Sequence, residues 1–396
     1  MLNDIKNISK LKIYKNSEFA GVLKRTPQGC EFHLSEDFIT KTTVPYFSYC
    51  IKNTSNPLIM NGDNLPAFFA GLLPEGLRFN ALVKKIKTSE DDLFSLFAMV
   101  GADCIGDIDT GGSSPVLKKE IPPLKNVNFY DFFNETIDPE GLIIDTNALA
   151  GVQEKISSSM ISFPCNIAKK EKTYILKLNP PDKSNLIQNE LHCLELAKKC
   201  GFVVGKAKIV KDKDQNPGLL VERFDRTPTK KLHQEDACQF LNRYPADKYR
   251  LNLKDIADRL IELTTAPQIE ILNLLRQYVF SYLIGNGDMH AKNISLQTLE
   301  DGTITLTPLY DLICTAIYGD FHMALKIDGH DANIKRKMIV AFAERYKINA
   351  KAIHSALDKL LKQFSKNYIS LFLIDMNEKK KTFLNQVILK RIDDLK

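Results

Sequence analysis

Asp288, Asn293 and Asp311 have the residue types and spacing of a phosphoryl-transfer site. Asp288 and Asn293 stand five residues apart in Gly285-Asn286-Gly287-Asp288-Met289-His290-Ala291-Lys292-Asn293, and Asp311 follows eighteen residues later in Leu309-Tyr310-Asp311. In ATP-dependent kinases a loop carboxylate takes the acceptor hydroxyl's proton, an amide five residues on holds Mg²⁺, and a later Asp bridges the metal to the phosphates. Asp288 is therefore the expected base, with Asn293 and Asp311 as Mg²⁺ ligands, in keeping with that ion's preference for hard oxygen donors. Asn-Gly-Asp is also ordinary turn chemistry, but a simple turn does not call for an amide at this spacing. His290 either packs beneath the loop or touches a phosphate. Lys292 either neutralises the transferred group or is solvated.

A site of this kind needs a strand lysine over the phosphates. Lys177 lies in the otherwise apolar strand Ile175-Leu176-Lys177-Leu178, where a buried ammonium requires a partner. ATP phosphates supply that need, and Glu190, in the helix that follows, is the candidate ion-pair partner. Glu222-Arg223-Phe224 falls where the chain passes between lobes, so backbone groups there are placed to bind an adenine edge. Ala150-Gly151-Val152-Gln153-Glu154-Lys155 reads as a turn into a strand, and its single glycine makes it a poor Walker A loop.

The elements that must position these residues follow from periodicity. Short strands open the chain (Leu11–Tyr14, Gly21–Leu23, broken at Thr26-Pro27-Gln28-Gly29), and two helices follow, one through Leu77, Leu82, Val83 and Ile86, the other from Leu93 to Met99. Gly111-Gly112-Ser113-Ser114-Pro115 is the clearest linker. Next come a strand (Thr173–Leu178), a helix (Asn189–Lys199, with Gly201 beyond its end) and a hairpin around residues 213–218, the order of a kinase N-lobe. From Pro267 a helix carries Ile269, Leu272, Leu275, Val279 and Leu283 on one face and leads into the Asp288 loop. An alternating strand, Thr303 to Tyr310, is expected to deliver Asp311 at its tip. The expected class is α+β, a two-lobed protein-kinase-like fold with a β-rich N-lobe and a helical C-lobe. A small N-terminal α+β subdomain (1–115) precedes the N-lobe (116–226) and C-lobe (227–396).

At 396 residues the chain exceeds the roughly 250–300 at which single cores stop growing. Its 44% hydrophobic and 26% charged residues are ordinary for a soluble protein, and no apolar run approaches the roughly 20 residues that span a bilayer. With no secretory signal at Met1–Lys6, cytoplasmic residence is expected. Eight cysteines without a C-x-x-C argue against zinc, an iron-sulfur cluster or a disulfide framework. A net charge of +6, without aromatics among the basic clusters, does not support direct DNA binding.

The chain resembles the HipA family of bacterial toxin serine/threonine kinases nearly end to end. Its signature stretches are Phe68-Phe69 with Leu72-Leu73-Pro74-Glu75, Val100 to Gly106, Ala150 to Lys155, Val221 to Arg226, Gln234-Glu235-Asp236, Asp288 to Asn293 and Leu306 to Asp311. The resemblance implies ATP and Mg²⁺ as cofactors and phosphorylation of a protein serine, aminoacyl-tRNA synthetases being the known substrate class. It also implies a nearby-encoded helix-turn-helix antitoxin that represses transcription, so that DNA is met only through that partner. By position it makes Lys177 the ATP lysine, with further ATP contacts from Gly151, Val152, Gln153, Glu154 and Lys155 and an adenine hinge at Glu222 and Phe224. Asp288, His290 and Lys292 fall in the catalytic loop, and Asn293 and Asp311 at the magnesium site. Family members often autophosphorylate a serine three residues before the loop glycine. Here that residue is Ala148, so the switch is absent, is transferred to Thr146 or Ser157, or was removed by engineering. A lipid or small-molecule kinase, or a catalytically weak co-repressor in an antitoxin complex, are the competing readings.

Overall fold

The computed structural model describes residues 5–41, 46–62, 64–111, 120–121, 123–131, 160–167, 173–180 and 185–396. The Ala148 and Gly151–Lys155 segment, Thr146, Ser157 and most of the Gly111–Pro115 linker lie outside them.

The first unit is an antiparallel sheet ordered β6-β3-β2-β1-β7, made of β1 (Lys10–Lys15), β2 (Glu18–Thr26), β3 (Gly29–Leu34), β6 (Leu58–Asn61) and β7 (Ile108–Asp109). The small pair β4 (Tyr46–Ser48) and β5 (Ile51–Lys52) and the short helix α1 (Glu36–Lys41) accompany it. Helices α2 (Ala67–Gly71), α3 (Gly76–Ile86) and α4 (Leu93–Val100) complete the unit. Its core is aromatic: Phe32, Phe47, Phe68, Phe69 and Phe97 are all at most 2% exposed and meet edge-to-face or tilted.

The second sheet, ordered β11-β12-β10-β9-β8, contains β8 (Glu120–Ile121), β9 (Ile161–Ile167), β10 (Thr173–Leu178), β11 (Ala207–Lys211) and β12 (Pro217–Glu222), with α5 (Leu186–Lys199) against one face. Because side chains alternate along a strand, Tyr174, Leu176 and Leu178 pack on one side with Phe129 and Ala81. Ile175 and Lys177 face the other, where α5 contributes Leu186 and Ile187. The period of two therefore puts Lys177 on the helix side of the sheet.

The third sheet, β13-β14-β15, comprises β13 (His233–Asp236), β14 (Ser295–Thr298) and β15 (Ile304–Leu306). It joins Gln234-Glu235-Asp236 to the strand that leaves the Asp288 loop, Asp236 pairing with Ser295. Around it lie α6 (Ala237–Phe240), α7 (Leu253–Leu263), α8 (Pro267–Ile284), α9 (Arg336–Arg345), α10 (Ala350–Asn367) and α11 (Glu378–Asp394).

Two sequence expectations change. Helix α8 does not present a single stripe: Ile269 is 60% exposed, whereas Leu274, Leu275 and Tyr278 through Ile284 are all buried. Packing by α7, α10 and α11 encloses its C-terminal half, where successive residues are buried whichever way they point, while the first turn stays open. The strand expected from Thr303 to Tyr310 is regular only over Ile304–Leu306. Pro308 has no N–H for a ladder, and the chain continues through single contacts, Thr307 N–H to the Ser295 carbonyl and Leu309 N–H to the Val203 carbonyl.

Candidate active site

Helix α8 stops at Gly285, whose φ of 74° is left-handed and whose Cβ position lies 2.7 Å from the Ala316 side chain, so glycine alone fits. The loop that follows is a built turn. Asn286 Oδ1 accepts from the Asp288 amide at 3.0 Å, and the Thr315 hydroxyl accepts from the Gly287 amide at 2.7 Å. Turn chemistry and catalytic spacing thus coexist, the first fixing the second. Asp288 is fully buried and accepts a 2.9 Å hydrogen bond from the Tyr249 hydroxyl. Asn293 donates its amide N–H to the Asp288 carbonyl at 2.9 Å, which leaves its amide oxygen as the atom suited to a cation.

Across the cleft, Lys177 is 7% exposed and its ammonium donates to both Glu190 oxygens, at 2.7 and 2.9 Å, and to Asp311. Burial by itself would discharge this lysine. The Asp311 and Glu190 carboxylates overcome that and hold its pKa above the ordinary lysine value. Asp311 sits at φ 51°, a left-handed conformation uncommon outside glycine and tolerated by Asp, which turns its carboxylate onto Lys177.

Lys177, Glu190, Asn293 and Asp311 line one cavity of about 350 Å³. Ile175, Val221, Leu309 and Ile313 give it an apolar wall beside Glu222 and Phe224. At that end the Glu222 amide is taken by the Lys206 carbonyl and the Arg223 amide by that of Thr173. No acceptor for the Phe224 amide is found among the described residues, and Phe224 lines the cavity. Among those residues no cluster of three or more His, Cys, Asp and Glu side chains is placed to hold a metal. Two hard oxygens, from Asn293 and Asp311, match Mg²⁺ instead, an ion that keeps waters and takes further ligands from phosphate.

His290 and Lys292 both line this cavity, and their packing bears on the open readings. His290 is 4% exposed and lies edge-on to Tyr249 at 5.1 Å between ring centres. Burial, with Lys248 and Lys292 nearby, pushes its pKa well below 6.5, so it is a neutral ring under the loop. Lys292 is not solvated. Its ammonium donates to Asp236 at 2.6 Å and to the Gly71 carbonyl at 3.2 Å, tying the loop to both the third sheet and the N-terminal unit.

Sequence reasoning missed that the N-terminal unit forms part of this cavity, through Leu73, Pro74, Glu75, Arg78, Asp103 and Ile105. It is clamped to the lobe junction by two arginines. Arg223 reaches Asp225 (2.8 and 3.0 Å), Asp103 (3.0 Å) and the Cys104 carbonyl (2.7 Å), while Arg226 reaches the Gly106 carbonyl (2.7 Å) and the Gly106 amide returns to Asp225 (2.9 Å). Burial would raise the Asp225 pKa, but the two guanidiniums hold it below the usual range. The signal was present in the stretches Val100 to Gly106 and Val221 to Arg226; nothing in their spacing shows that they meet.

Comparison with known proteins follows the same division. A family profile described as HipA N-terminal domain matches residues 11–110, and one described as HipA-like C-terminal domain matches residues 147–368. The serine/threonine-protein kinase toxin HipA of Shewanella oneidensis is 28% identical over 303 residues, covering 69% of this chain and 67% of that one. The putative kinase Y4dM of Sinorhizobium fredii is 28% identical over 316 residues, 72% of each chain. The HipA structure from S. oneidensis MR-1, solved with HipB and operator DNA, superposes with a TM-score of 0.72 at 21% identity over 97% of this chain and 96% of that one, so the two share an α+β, two-lobed kinase-like fold. With the C-terminal profile alone spanning more than half of its residues, the chain belongs to the HipA family.

Proposed function

We propose that this protein is an ATP- and Mg²⁺-dependent serine/threonine protein kinase that acts as the toxin of a toxin-antitoxin pair, inhibiting translation by phosphorylating an aminoacyl-tRNA synthetase. The observation that carries the kinase reading is the buried Lys177, held by Glu190 and Asp311 in a cavity that also presents Asn293. In this reading Lys177 binds the α- and β-phosphates and the Phe224 amide meets the adenine edge. Asn293 and Asp311 hold Mg²⁺, which when bound neutralises charge on the transferred phosphoryl group. Asp288 receives the acceptor proton. The toxin role and a helix-turn-helix antitoxin partner, which would supply any DNA contact, rest on family membership and on the HipA–HipB–DNA complex of the S. oneidensis relative.

The test is phosphoproteomics after expression, paired with radiolabel transfer from ATP by the purified protein. The expected result is a phosphorylated synthetase, lost with growth inhibition in Asp288→Gln while nucleotide binding persists. Transfer to a lipid or antibiotic, or a fully toxic Asp288→Gln protein, would overturn the assignment.

A further inference from the structure

The cavity that holds Lys177, Asp311 and Asn293 does not include Asp288 among its walls. Asp288 is completely buried, and its carboxylate accepts from the hydroxyl of Tyr249, 2.9 Å from Oδ1. A general base needs the acceptor oxygen within roughly 2.6–3.2 Å. The phenol oxygen occupies that shell at Oδ1, one of the two carboxylate oxygens. With the carboxylate 0% exposed, a second hydroxyl cannot reach it unless a neighbour moves, and Tyr249, 37% exposed, reaches the surface.

Tyr249 is carried on an irregular segment between α6 and α7 that contains only a 3₁₀ turn, Pro245–Asp247. Its ring rests edge-on against the neutral His290, and the Lys248 ammonium lies 5.3 Å from its centre. Lys248 in turn pairs with Glu75 of the N-terminal unit at 2.9 Å. The segment is held by side-chain and single backbone contacts rather than by a regular element: this ion pair, the Tyr244 hydroxyl donating to the Leu65 carbonyl, and the Ala291 amide donating to the Lys248 carbonyl are among them.

We propose that Tyr249 gates the acceptor site: its hydroxyl holds the place at Asp288 that an acceptor serine or threonine hydroxyl takes, and a docked protein acceptor displaces it. This rests on the kinase reading. In the reaction the acceptor oxygen forms a bond to the γ-phosphorus, the bond from that phosphorus to ADP breaks, the acceptor proton passes to Asp288, and ADP leaves with the electron pair. Water, too small to push the ring aside, is excluded, so the gate favours protein transfer over idle hydrolysis.

The experiment measures ADP release without a protein acceptor, phosphoryl transfer with one, and nucleotide affinity, for the wild type, Tyr249→Phe and Tyr249→Ala. Opening the gate raises acceptor-independent hydrolysis several-fold in Tyr249→Ala and less in Tyr249→Phe. Nucleotide affinity stays unchanged, because Tyr249 does not line the cavity. Tyr249→Phe keeps the ring against His290, so it carries the test if the alanine variant does not fold. Slower transfer in Tyr249→Phe with no added hydrolysis overturns the gate and makes Tyr249 a positioning residue for Asp288. A wild type that transfers no phosphate to any acceptor overturns the kinase reading, and the gate with it.

Discussion

Lys292 and Asp236, 56 residues apart in the chain, form a 2.6 Å ion pair whose side chains are 11% and 10% exposed. Asp236 also caps α6, accepting from the Gln239 amide at 3.0 Å, so the catalytic loop is fastened to a helix start. Lys292→Met leaves a buried carboxylate without its cation and is expected to cost about 3–5 kcal/mol. Burial already pushes the Asp236 pKa upward, so the orphaned acid takes a proton more readily and the loss shrinks at low pH. Urea unfolding measures it. The double variant Lys292→Met, Asp236→Leu is expected to recover much of the stability.

Glu190→Gln removes one of the two carboxylates that hold Lys177, leaving Asp311 to bind it alone. An Asp311 carboxylate committed to lysine is less available to a metal. Nucleotide affinity in the presence of Mg²⁺ is expected to fall about tenfold, about 1.4 kcal/mol, and Lys177→Met to abolish it. Calorimetric titration with a non-hydrolysable ATP analogue reads both. Unchanged affinity in both variants would remove this pair from the nucleotide site.

At the lobe junction, Asp225→Asn removes the more buried of the two carboxylates that Arg223 and Arg226 share, Asp103 being the other, and weakens the acceptor of the Gly106 amide. The expected loss is again about 3–5 kcal/mol for a broken buried pair. Hydrogen exchange gives a local readout: the Gly106 amide loses protection ahead of the core of the N-terminal unit. Equal protection in the variant would show that the clamp adds nothing.

A second contact between the N-terminal unit and the lobe is pH-sensitive. His233 lies 2.8 Å from both Asp107 and Glu235, with the Lys15 ammonium 2.8 Å from Asp107 and 2.9 Å from the imidazole. Burial and Lys15 oppose the charged ring, but Asp107 and Glu235 outweigh them and raise its pKa above 6.5. A raised native pKa gives stability that is complete below pH 6.5 and fades as pH rises through the native value. Asp107 has the opposite sign, its carboxyl held low by Lys15 and His233 against burial. Its contribution is present above its unfolded value of 3.8 and is lost on acidification through the native one. His233→Gln is therefore expected to flatten the alkaline side of a melting-temperature profile and also to weaken the acid side, because it removes one of the two cations that hold the Asp107 carboxyl low.

Much of the site was legible because it is local. Asp288 and Asn293 share one loop, and strand alternation with a helix thirteen residues on places Lys177 opposite Glu190, so short-range periodicity and spacing were enough. Lys292, His290 and α8 were not legible in the same way. Whether a lysine is solvated or paired, a histidine charged or neutral, a helix striped or enclosed depends on what packs against it from elsewhere in the chain.

The sequence by itself determined the α+β class, the order of strands and helices that places the loop, and the identity of the candidate catalytic residues, because backbone period and residue chemistry are local properties. Only the tertiary structure decided that Pro74, Glu75 and Arg78 of the N-terminal unit wall the cavity and that Asp103 and Arg223 join the units. It also decided that Tyr249 covers Asp288. Those relationships connect residues tens to more than a hundred positions apart, and burial, which sets both their charge states and their strength, exists only once the lobes have closed on one another.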